Sequence, residues 1–128
     1  MATIRQTVMG VEDMDRAYRF WSEALHYVPR DPAYDPAWNV LVPPNGGSGA
    51  HLALTLTDTP LQKHPRLHLD LNPDGGDAKA EVARLLSLGA SIVDWDLYPE
   101  DRDVDFVVLA DPDGNRFCVI DFCVIDVR

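Results

Sequence analysis

The sequence predicts an α+β protein built from two tandem modules, each with the order strand, helix, strand, strand, strand. The same order of apolar patterns occurs twice in 128 residues: a short strand pattern, an amphipathic helix and three extended segments. A segment with two prolines and no periodicity separates the two copies. We therefore interpret residues 1–128 as one domain, with module one at about 1–58, a linker at 59–65 and module two at 66–128.

Module one opens with a predicted β-branched strand at residues 3–9, which Gly10 is expected to end. Asp13 is a predicted N-cap, because its carboxylate can accept hydrogen bonds from the free amides of a first helical turn. Apolar residues then recur at spacings of three and four over residues 14–25, so the helix is predicted to end near Tyr27. The remaining strands of this module are predicted at residues 27–30, 38–42 and 51–57.

Module two begins with a predicted strand at residues 67–71, in which leucines alternate with polar residues. Asp77 is the predicted N-cap of the second helix, and Gly89 is the residue expected to end it. The last three strands are predicted at residues 91–97, 104–110 and 116–126, with a turn at 111–115 between the last two.

The composition favours some partner classes and argues against others. Eleven Lys and Arg residues against 21 Asp and Glu give a net charge of −10, which argues against nucleic-acid binding through phosphate contacts. The acidity favours a cationic ligand or partner. No apolar run approaches the ~18 residues of a membrane span, and the N-terminus lacks a signal-peptide pattern. The sequence therefore predicts a cytoplasmic protein that does not insert into membranes.

The two cysteines are predicted to remain free thiols. Cys118 and Cys123 are five positions apart in the predicted last strand, and an odd separation points them to opposite faces. They are therefore expected neither to form a disulfide nor to share a metal. The last strand also repeats the motif Phe-Cys-Val-Ile-Asp, at 117–121 and 122–126, and the second copy is expected to cover a sheet edge or to pack against a partner chain.

Three parts of the chain carry a resemblance to a known family: residues 8–14 with 20–25, residues 66–71, and residues 109–117. The third is the most specific, because it places the turn Asp-Pro-Asp-Gly-Asn directly before the last strand. The chain resembles the vicinal oxygen chelate superfamily, which includes glyoxalase I, extradiol dioxygenases, fosfomycin-resistance enzymes and bleomycin-binding proteins. The resemblance implies a U-shaped mixed sheet around a cleft, with the helices outside.

The resemblance also implies where a metal would bind. Metal-dependent members take one ligand from the first and one from the last strand of each module, and these positions fall here on Gln6, Ala53, His68 and Cys118. The family holds its divalent ion with His or Gln and two carboxylates. Because Ala53 has no donor and neither position expected to be Glu is acidic, we expect no catalytic metal. A weakly held Zn, Ni, Mn or Fe ion is the alternative.

Further residues are predicted to line the cleft by strand parity. His51 shares the parity of Ala53, and Asp70 shares that of His68. A pair such as His68 with Asp70, or His68 with His51, can perform acid–base chemistry without a metal; the alternative is that these residues are neighbours by geometry alone. Trp38 is a candidate for stacking on a flat ligand.

An acidic segment follows the second helix. Residues 94–105 contain six acidic residues and one basic residue, Arg102, which is typical of a solvated rim. Such a rim would select cations if it bordered the cleft. Trp95 lies within this segment, and it too could face the cleft and stack on a flat ligand. Packing is the favoured role, because Val93 and Leu97 share its predicted face.

These observations favour a homodimeric small-molecule binding protein of the glyoxalase/bleomycin-resistance type. It would work without a catalytic metal and would hold a flat ligand, with a cationic ligand favoured by the charge. The main alternative is a glyoxalase- or dioxygenase-type enzyme that uses a reduced metal site or His68 as its acid or base. A third alternative is an interaction module with an empty cleft.

Overall fold

The structure is a computed structural model that describes residues 1–100 and 104–121. It contains two βαβββ modules, each with a four-stranded mixed sheet and one α-helix, which confirms the predicted α+β fold class. The chain divides into two compact units after Pro60. The second copy of the Phe-Cys-Val-Ile-Asp motif, with Cys123, lies outside the described residues.

Both modules use the same sheet topology, in which the first and last strands pair in parallel at one side of the sheet. Module one consists of β1 (Thr7–Val11), α1 (Met14–Leu25), β2 (Val28–Pro29), β3 (Trp38–Val42) and β4 (Leu52–Leu56), with the strand order β1-β4-β3-β2. Module two consists of β5 (Leu69–Leu71), α2 (Ala78–Leu88), β6 (Ser91–Ile92), β7 (Phe106–Ala110) and β8 (Arg116–Ile120), with the order β5-β8-β7-β6.

The two helices begin at the predicted caps. The Asp13 carboxylate accepts a hydrogen bond from the backbone amide of Arg16 at 3.1 Å, and Asp77 accepts one from Ala80 at 3.0 Å. Three residues of the predicted apolar stripe of α1 are buried, Met14, Ala17 and the completely buried Trp21, whereas Tyr18 and Leu25 are half-buried. It ends at Leu25, slightly before the expected position. The second helix ends at Gly89 as predicted.

The first strand lies further along the chain than predicted. It spans Thr7–Val11 rather than 3–9, because the parallel partner β4 starts at Leu52, opposite Thr7. Gly10 does not end the strand. It lies within it, where a Cβ atom would approach the Thr57 side chain to 2.6 Å, so this glycine permits a close approach rather than a turn.

The sixth strand is also shorter than predicted. It spans Ser91–Ile92 rather than 91–97, because the Tyr98 hydroxyl accepts the hydrogen bond of the Val108 amide at 2.8 Å, a donor that a longer β6 would have used. The Val93 amide still donates to the Val108 carbonyl at 3.3 Å, and the chain leaves the sheet after this residue. The third strand has the predicted bounds, and β2, β4, β5 and β7 are shorter than predicted at one or both ends. The last strand spans Arg116–Ile120, and the part of its predicted range at 122–126 lies outside the described residues.

In the sheet of module two, the two faces differ in character. Phe117 and Val119 on β8 and Leu109 on β7 share one face and are completely buried, and α2 packs against β8. The opposite face carries the row Asp70, Cys118 and Val108, which are direct partners across β5, β8 and β7. The polar side chains of Asp70 and Cys118 therefore lie next to each other on this second face, which we call the polar face.

The turn at 111–115 fixes the register between β7 and β8. The nearly buried carboxylate of Asp111 accepts hydrogen bonds through one oxygen from the amides of Asp113 and Asn115, at 3.0 and 2.8 Å. Gly114 has a φ of 95°, which favours glycine, and a Cβ atom there would also contact the Leu61 side chain at 2.5 Å. The Asp-Pro-Asp-Gly-Asn segment is thus an internally hydrogen-bonded turn.

We predict that Asp111→Ala lowers the free energy of unfolding by about 1–3 kcal/mol, because two amides lose their acceptor in a site with little access to water. Asp111→Asn keeps an acceptor oxygen and should lose less. Urea denaturation of the three proteins provides the measurement. Equal stability of Asp111→Ala and the wild type would show that water replaces the carboxylate without cost.

Candidate functional site

A cavity of about 550 Å³ lies on the polar face of the module-two sheet. Its volume is within the range of ~300–1,000 Å³ that small-molecule sites usually have. The residues that line it come from the end of the linker, from β5, from the segment after β6, and from β7 and β8. They are His64, Pro65, His68, Asp70, Trp95, Leu97, Asp105, Phe106, Val108, Arg116, Phe117, Cys118 and Ile120.

Three of these residues form a compact cluster, which we call the thiol–carboxylate cluster: His68, Asp70 and Cys118. Asp70 and Cys118 are direct partners in the parallel pairing of β5 with β8. His68 lies two residues before Asp70, and its Nε2 atom is 3.0 Å from an Asp70 carboxylate oxygen. One potential ligand atom from each residue lies within 4.8 Å of the others. Strand register therefore positions a nitrogen, an oxygen and a sulfur donor together.

The cluster presents a buried thiol beneath two accessible side chains. Cys118 is 7% exposed, whereas the side chains of His68 and Asp70 are 45% and 57% exposed. Burial, and secondarily the charge and hydrogen bonding of Asp70, raise the pKa of the Cys118 thiol to about 11. The thiol is therefore protonated at neutral pH and can donate to the Asp70 carboxylate, so it is not an activated nucleophile.

A second group of charged residues lies at the edge of the cavity, and we call it the rim clasp: Lys63, His64 and Asp96. His64 Nε2 is 2.8 Å from one oxygen of Asp96, and Lys63 Nζ is 3.3 Å from the other. The hydrogen bond with His64 is the largest cause that lowers the pKa of Asp96, to about 2. The clasp ties the end of the linker to the segment after β6.

The cavity also contains aromatic and charged groups. Trp95 meets the His64 ring edge-to-face, with ring centroids 5.2 Å apart. Trp95 therefore lines the cavity wall, which is the alternative role to the packing role favoured from the sequence. Arg116 donates to the Gly114 carbonyl at 2.9 Å, and its buried Nε has no hydrogen-bond partner among the described residues. Asp105 and Phe106 complete this part of the wall.

The other candidate residues belong to module one. Ala53 is completely buried, between its direct partners Val8 and Val40. Trp38 is 39% exposed and lies on the same face of that sheet. His51 is half-buried directly before β4, and its carbonyl accepts a hydrogen bond from the Thr7 amide at 3.1 Å.

Gln6 directly precedes β1. Its side-chain oxygen is buried and has no hydrogen-bond partner within residues 1–100 and 104–121.

The two modules share one register, which tests whether the family's metal ligands fit this chain. Ala53 pairs with Val8 in module one as Cys118 pairs with Asp70 in module two, and Gln6 lies two residues before Val8 as His68 does before Asp70. The fully buried Ala53 offers no donor, and Cys118 offers sulfur in place of a carboxylate. The family's oxygen-rich four-ligand set therefore does not fit.

Sequence reasoning missed one donor of the cluster. The family resemblance predicts only His68 and Cys118 as metal ligands in module two. Strand parity predicts that Asp70 lies in the cleft, as a partner of His68 in acid–base chemistry. Asp70 and His68 share parity in the sequence, which was the available signal. The sequence does not contain the pairing register that brings Asp70 beside Cys118.

Comparison with known proteins agrees with the fold. The glyoxalase-like domain family matches residues 6–120, and the chain belongs to this family. No curated protein matches the sequence significantly. No helix within the described part of the chain is long and apolar enough to cross a membrane.

Several solved structures are similar across nearly the whole chain. One is a glyoxalase/bleomycin resistance protein/dioxygenase family enzyme from Burkholderia phytofirmans, with 14% identity and a TM-score of 0.70 over 92% of this chain and 97% of that one. A glyoxalase-related enzyme from Fulvimarina pelagi has 18% identity and a TM-score of 0.64 over 94% and 88%. The fosfomycin resistance protein FosX from Mesorhizobium loti has 14% identity and a TM-score of 0.65 over 94% and 91%. These similarities establish the fold.

We predict that Cys118 reacts slowly with iodoacetamide at neutral pH. In chelator-treated Cys123→Ser protein, the alkylation rate should rise with a midpoint near a pH of about 11. Adding Asp70→Asn should lower that midpoint because it removes the neighbouring negative charge, although burial keeps the pKa raised. A wild-type midpoint in the ordinary range for thiols would contradict the described environment.

We also predict that the Asp96 carboxyl titrates with a midpoint near a pH of about 2 in an NMR titration. His64→Ala should raise this midpoint more than Lys63→Ala does, because the His64 hydrogen bond is the largest lowering cause. Since the pKa is lowered on folding, the stabilisation is present above the ordinary aspartate pKa and is lost as the pH falls toward 2. An unchanged midpoint in His64→Ala would mean that the clasp does not persist in solution.

Proposed function

We propose that the module-two cavity binds a flat small molecule that carries a positive charge, and that the protein acts by binding it rather than by transforming it. The observation that carries this proposal is a single cavity of about 550 Å³ that combines Trp95 and Phe106 with two carboxylates, Asp70 and Asp105. Aromatic walls with a few charged groups are typical of sites that bind organic ligands. Membership of the glyoxalase-like family supports a small-molecule ligand.

The apolar part of the cavity favours a planar ligand. Trp95 and Leu97 come from the segment after β6, and Phe106 and Val108 from β7, so apolar groups face the cavity from two elements. The segment after β6 is held to the sheet by the hydrogen bond from the Val108 amide to Tyr98. A flat ring in this space can stack on an indole at little cost in side-chain entropy. Trp38, the aromatic residue predicted from the sequence, belongs to module one, and its contact with a ligand stays a prediction.

The charged part favours a cation. Asp105 and Asp70 line the cavity, and the chain as a whole has a net charge of −10. Arg116 is the guanidinium among the lining residues, so the cavity wall holds two carboxylates against one guanidinium. A cavity with apolar walls strengthens the field of carboxylates at its edge. The homodimer and the cytoplasmic location that the sequence favours stay predictions.

A second candidate function is acid–base catalysis by His68, in an enzyme of the glyoxalase or dioxygenase type. The observation that favours it is the 3.0 Å contact between His68 Nε2 and Asp70, with both side chains accessible from the cavity. Asp70 would orient the imidazole, and His68 would take or give a proton on a bound substrate. Turnover of a thiohemiacetal that is lost in His68→Gln would support this function over simple binding.

We predict that the cationic tricycle 9-aminoacridine raises the melting temperature and quenches tryptophan fluorescence, whereas the anionic 9-anthracenecarboxylate does so much less. A probe at 100 times its Kd should add about 2.7 kcal/mol of apparent stability. The cation should bind more weakly as salt is added, because exposed charges are screened over about 8 Å at physiological ionic strength.

Matched variants locate the site in this experiment. Asp105→Asn should weaken 9-aminoacridine binding by about threefold to tenfold, in line with a partly exposed charge pair. Trp95→Leu should weaken it and reduce the quenching. Asp58→Asn removes the same charge from an exposed position that does not line the cavity, and it should have little effect. Equal binding of the anion, without salt dependence, would mean that the acidity serves only as a solvated surface.

A further inference from the structure

The thiol–carboxylate cluster shares His68 and Cys118 with the ligand positions that the family resemblance implies, but its third donor, Asp70, is not one of those positions. The expected site takes ligands from two modules and relies on carboxylates, and this chain lacks a donor at Ala53. In module two alone, by contrast, the register of β5 and β8 brings a third donor, Asp70, beside His68 and Cys118. We propose that module two by itself binds one zinc ion through His68, Asp70 and Cys118, and that this thiolate site prefers zinc and cobalt to magnesium and manganese.

The distances suit such an ion. Zinc bonds of about 2.0–2.3 Å in tetrahedral geometry place neighbouring donor atoms about 3.3–3.8 Å apart. The histidine nitrogen and aspartate oxygen are 3.0 Å apart, and all three donor atoms lie within 4.8 Å of one another. Small side-chain rotations therefore place all three donors at bonding distance from one ion, without movement of the paired strands.

The donor types determine the choice of ion. Cys118 would release its thiol proton to solvent when the ion binds. A neutral imidazole, a carboxylate and the resulting thiolate together carry two negative charges, which balance a divalent ion. Sulfur and nitrogen donors favour zinc and cobalt, whereas magnesium and manganese prefer sites made of oxygen donors. The loss of the family's carboxylate positions therefore changes the preferred metal instead of only weakening the site.

The surroundings provide access and an open coordination position. His68 and Asp70 are about half exposed and line the cavity, so an ion can enter from solvent. Cys118 lies buried at the base, where an apolar environment strengthens the metal–thiolate bond. Three protein ligands leave a fourth position for water or for a ligand atom. Asp70 belongs both to this cluster and to the cavity proposed to bind an aromatic cation, whereas Asp105 lies outside the cluster. A bound zinc ion would therefore leave Asp105 as the carboxylate available to a cationic ligand.

Cobalt titration of the untagged full-length chain tests the proposal under reducing, oxygen-free conditions. We expect one equivalent of Co²⁺ to produce a thiolate-to-cobalt charge-transfer band and the visible bands of tetrahedral cobalt, and Zn²⁺ to displace it. Mg²⁺ and Mn²⁺ should compete at least ~100-fold more weakly than Zn²⁺.

Variants of the three ligands identify the site. Cys118→Ser should abolish the charge-transfer band, and His68→Gln and Asp70→Asn should each lower cobalt affinity by at least ~10-fold. Cys123→Ser removes the other thiol and His26→Asn removes an exposed imidazole at a left-handed helix cap that Asn tolerates, so both should bind cobalt as the wild type does. Circular dichroism checks each fold, and if Cys118→Ser does not fold, the two exposed-ligand variants carry the test.

Three results would overturn the proposal: no thiolate band at stoichiometric cobalt, a band that survives Cys118→Ser, or wild-type affinity in both Asp70→Asn and His68→Gln. Preference for Mn²⁺ over Zn²⁺ would also overturn it, since this would indicate an oxygen-donor site. Repeating the 9-aminoacridine experiment with chelator present separates the two proposals, because the metal-free cavity keeps both carboxylates and should bind the aromatic cation at least as tightly as the zinc-loaded cavity does.

Discussion

The parallel pairing of β5 with β8 is the constraint on which the chemistry of this protein depends. Its register sets Asp70 opposite Cys118, and the alternation of side chains sends Phe117 and Val119 into the core on the other face. A shift by one residue would bury the carboxylate and expose the core. The burial that stabilises the sheet therefore also fixes the donor atoms at the base of the cavity.

Module one has the same sheet topology, but the side chains at the equivalent positions are different. The equivalent pair there is Val8 with Ala53, which offers no titratable group. The duplicated scaffold thus has polar chemistry on one sheet and an apolar face on the other. Because the two sheets have the same strand order and the same parallel pairing of first and last strands, this difference comes from the side chains. Such positions can change function while the fold persists.

Contacts outside the sheet shape the cavity. The Tyr98 hydroxyl accepts the hydrogen bond of the Val108 amide, and β6 ends at Ile92. Residues that follow β6 form part of the cavity wall. The rim clasp holds that wall to the linker through Asp96 and its two cationic partners. The predicted acidic rim therefore has more than one role: Asp96 is used in structural pairing, whereas Asp105 faces the cavity.

The sequence by itself determined the α+β class, the two modules and both helix starts, because periodicity and capping are local properties that depend on neighbours within a few residues. The positions of the family's metal ligands, Gln6, Ala53, His68 and Cys118, came from the family resemblance and not from periodicity, and they stay a prediction. The sequence misplaced β1 and overextended β6, because the ends of strands depend on partners far away in the chain. Only the tertiary structure decided that Asp70 lies beside Cys118 and that Trp95 and Arg116 line the cavity. Strand register and loop packing are set by long-range contacts, and these leave no periodic signal in the sequence.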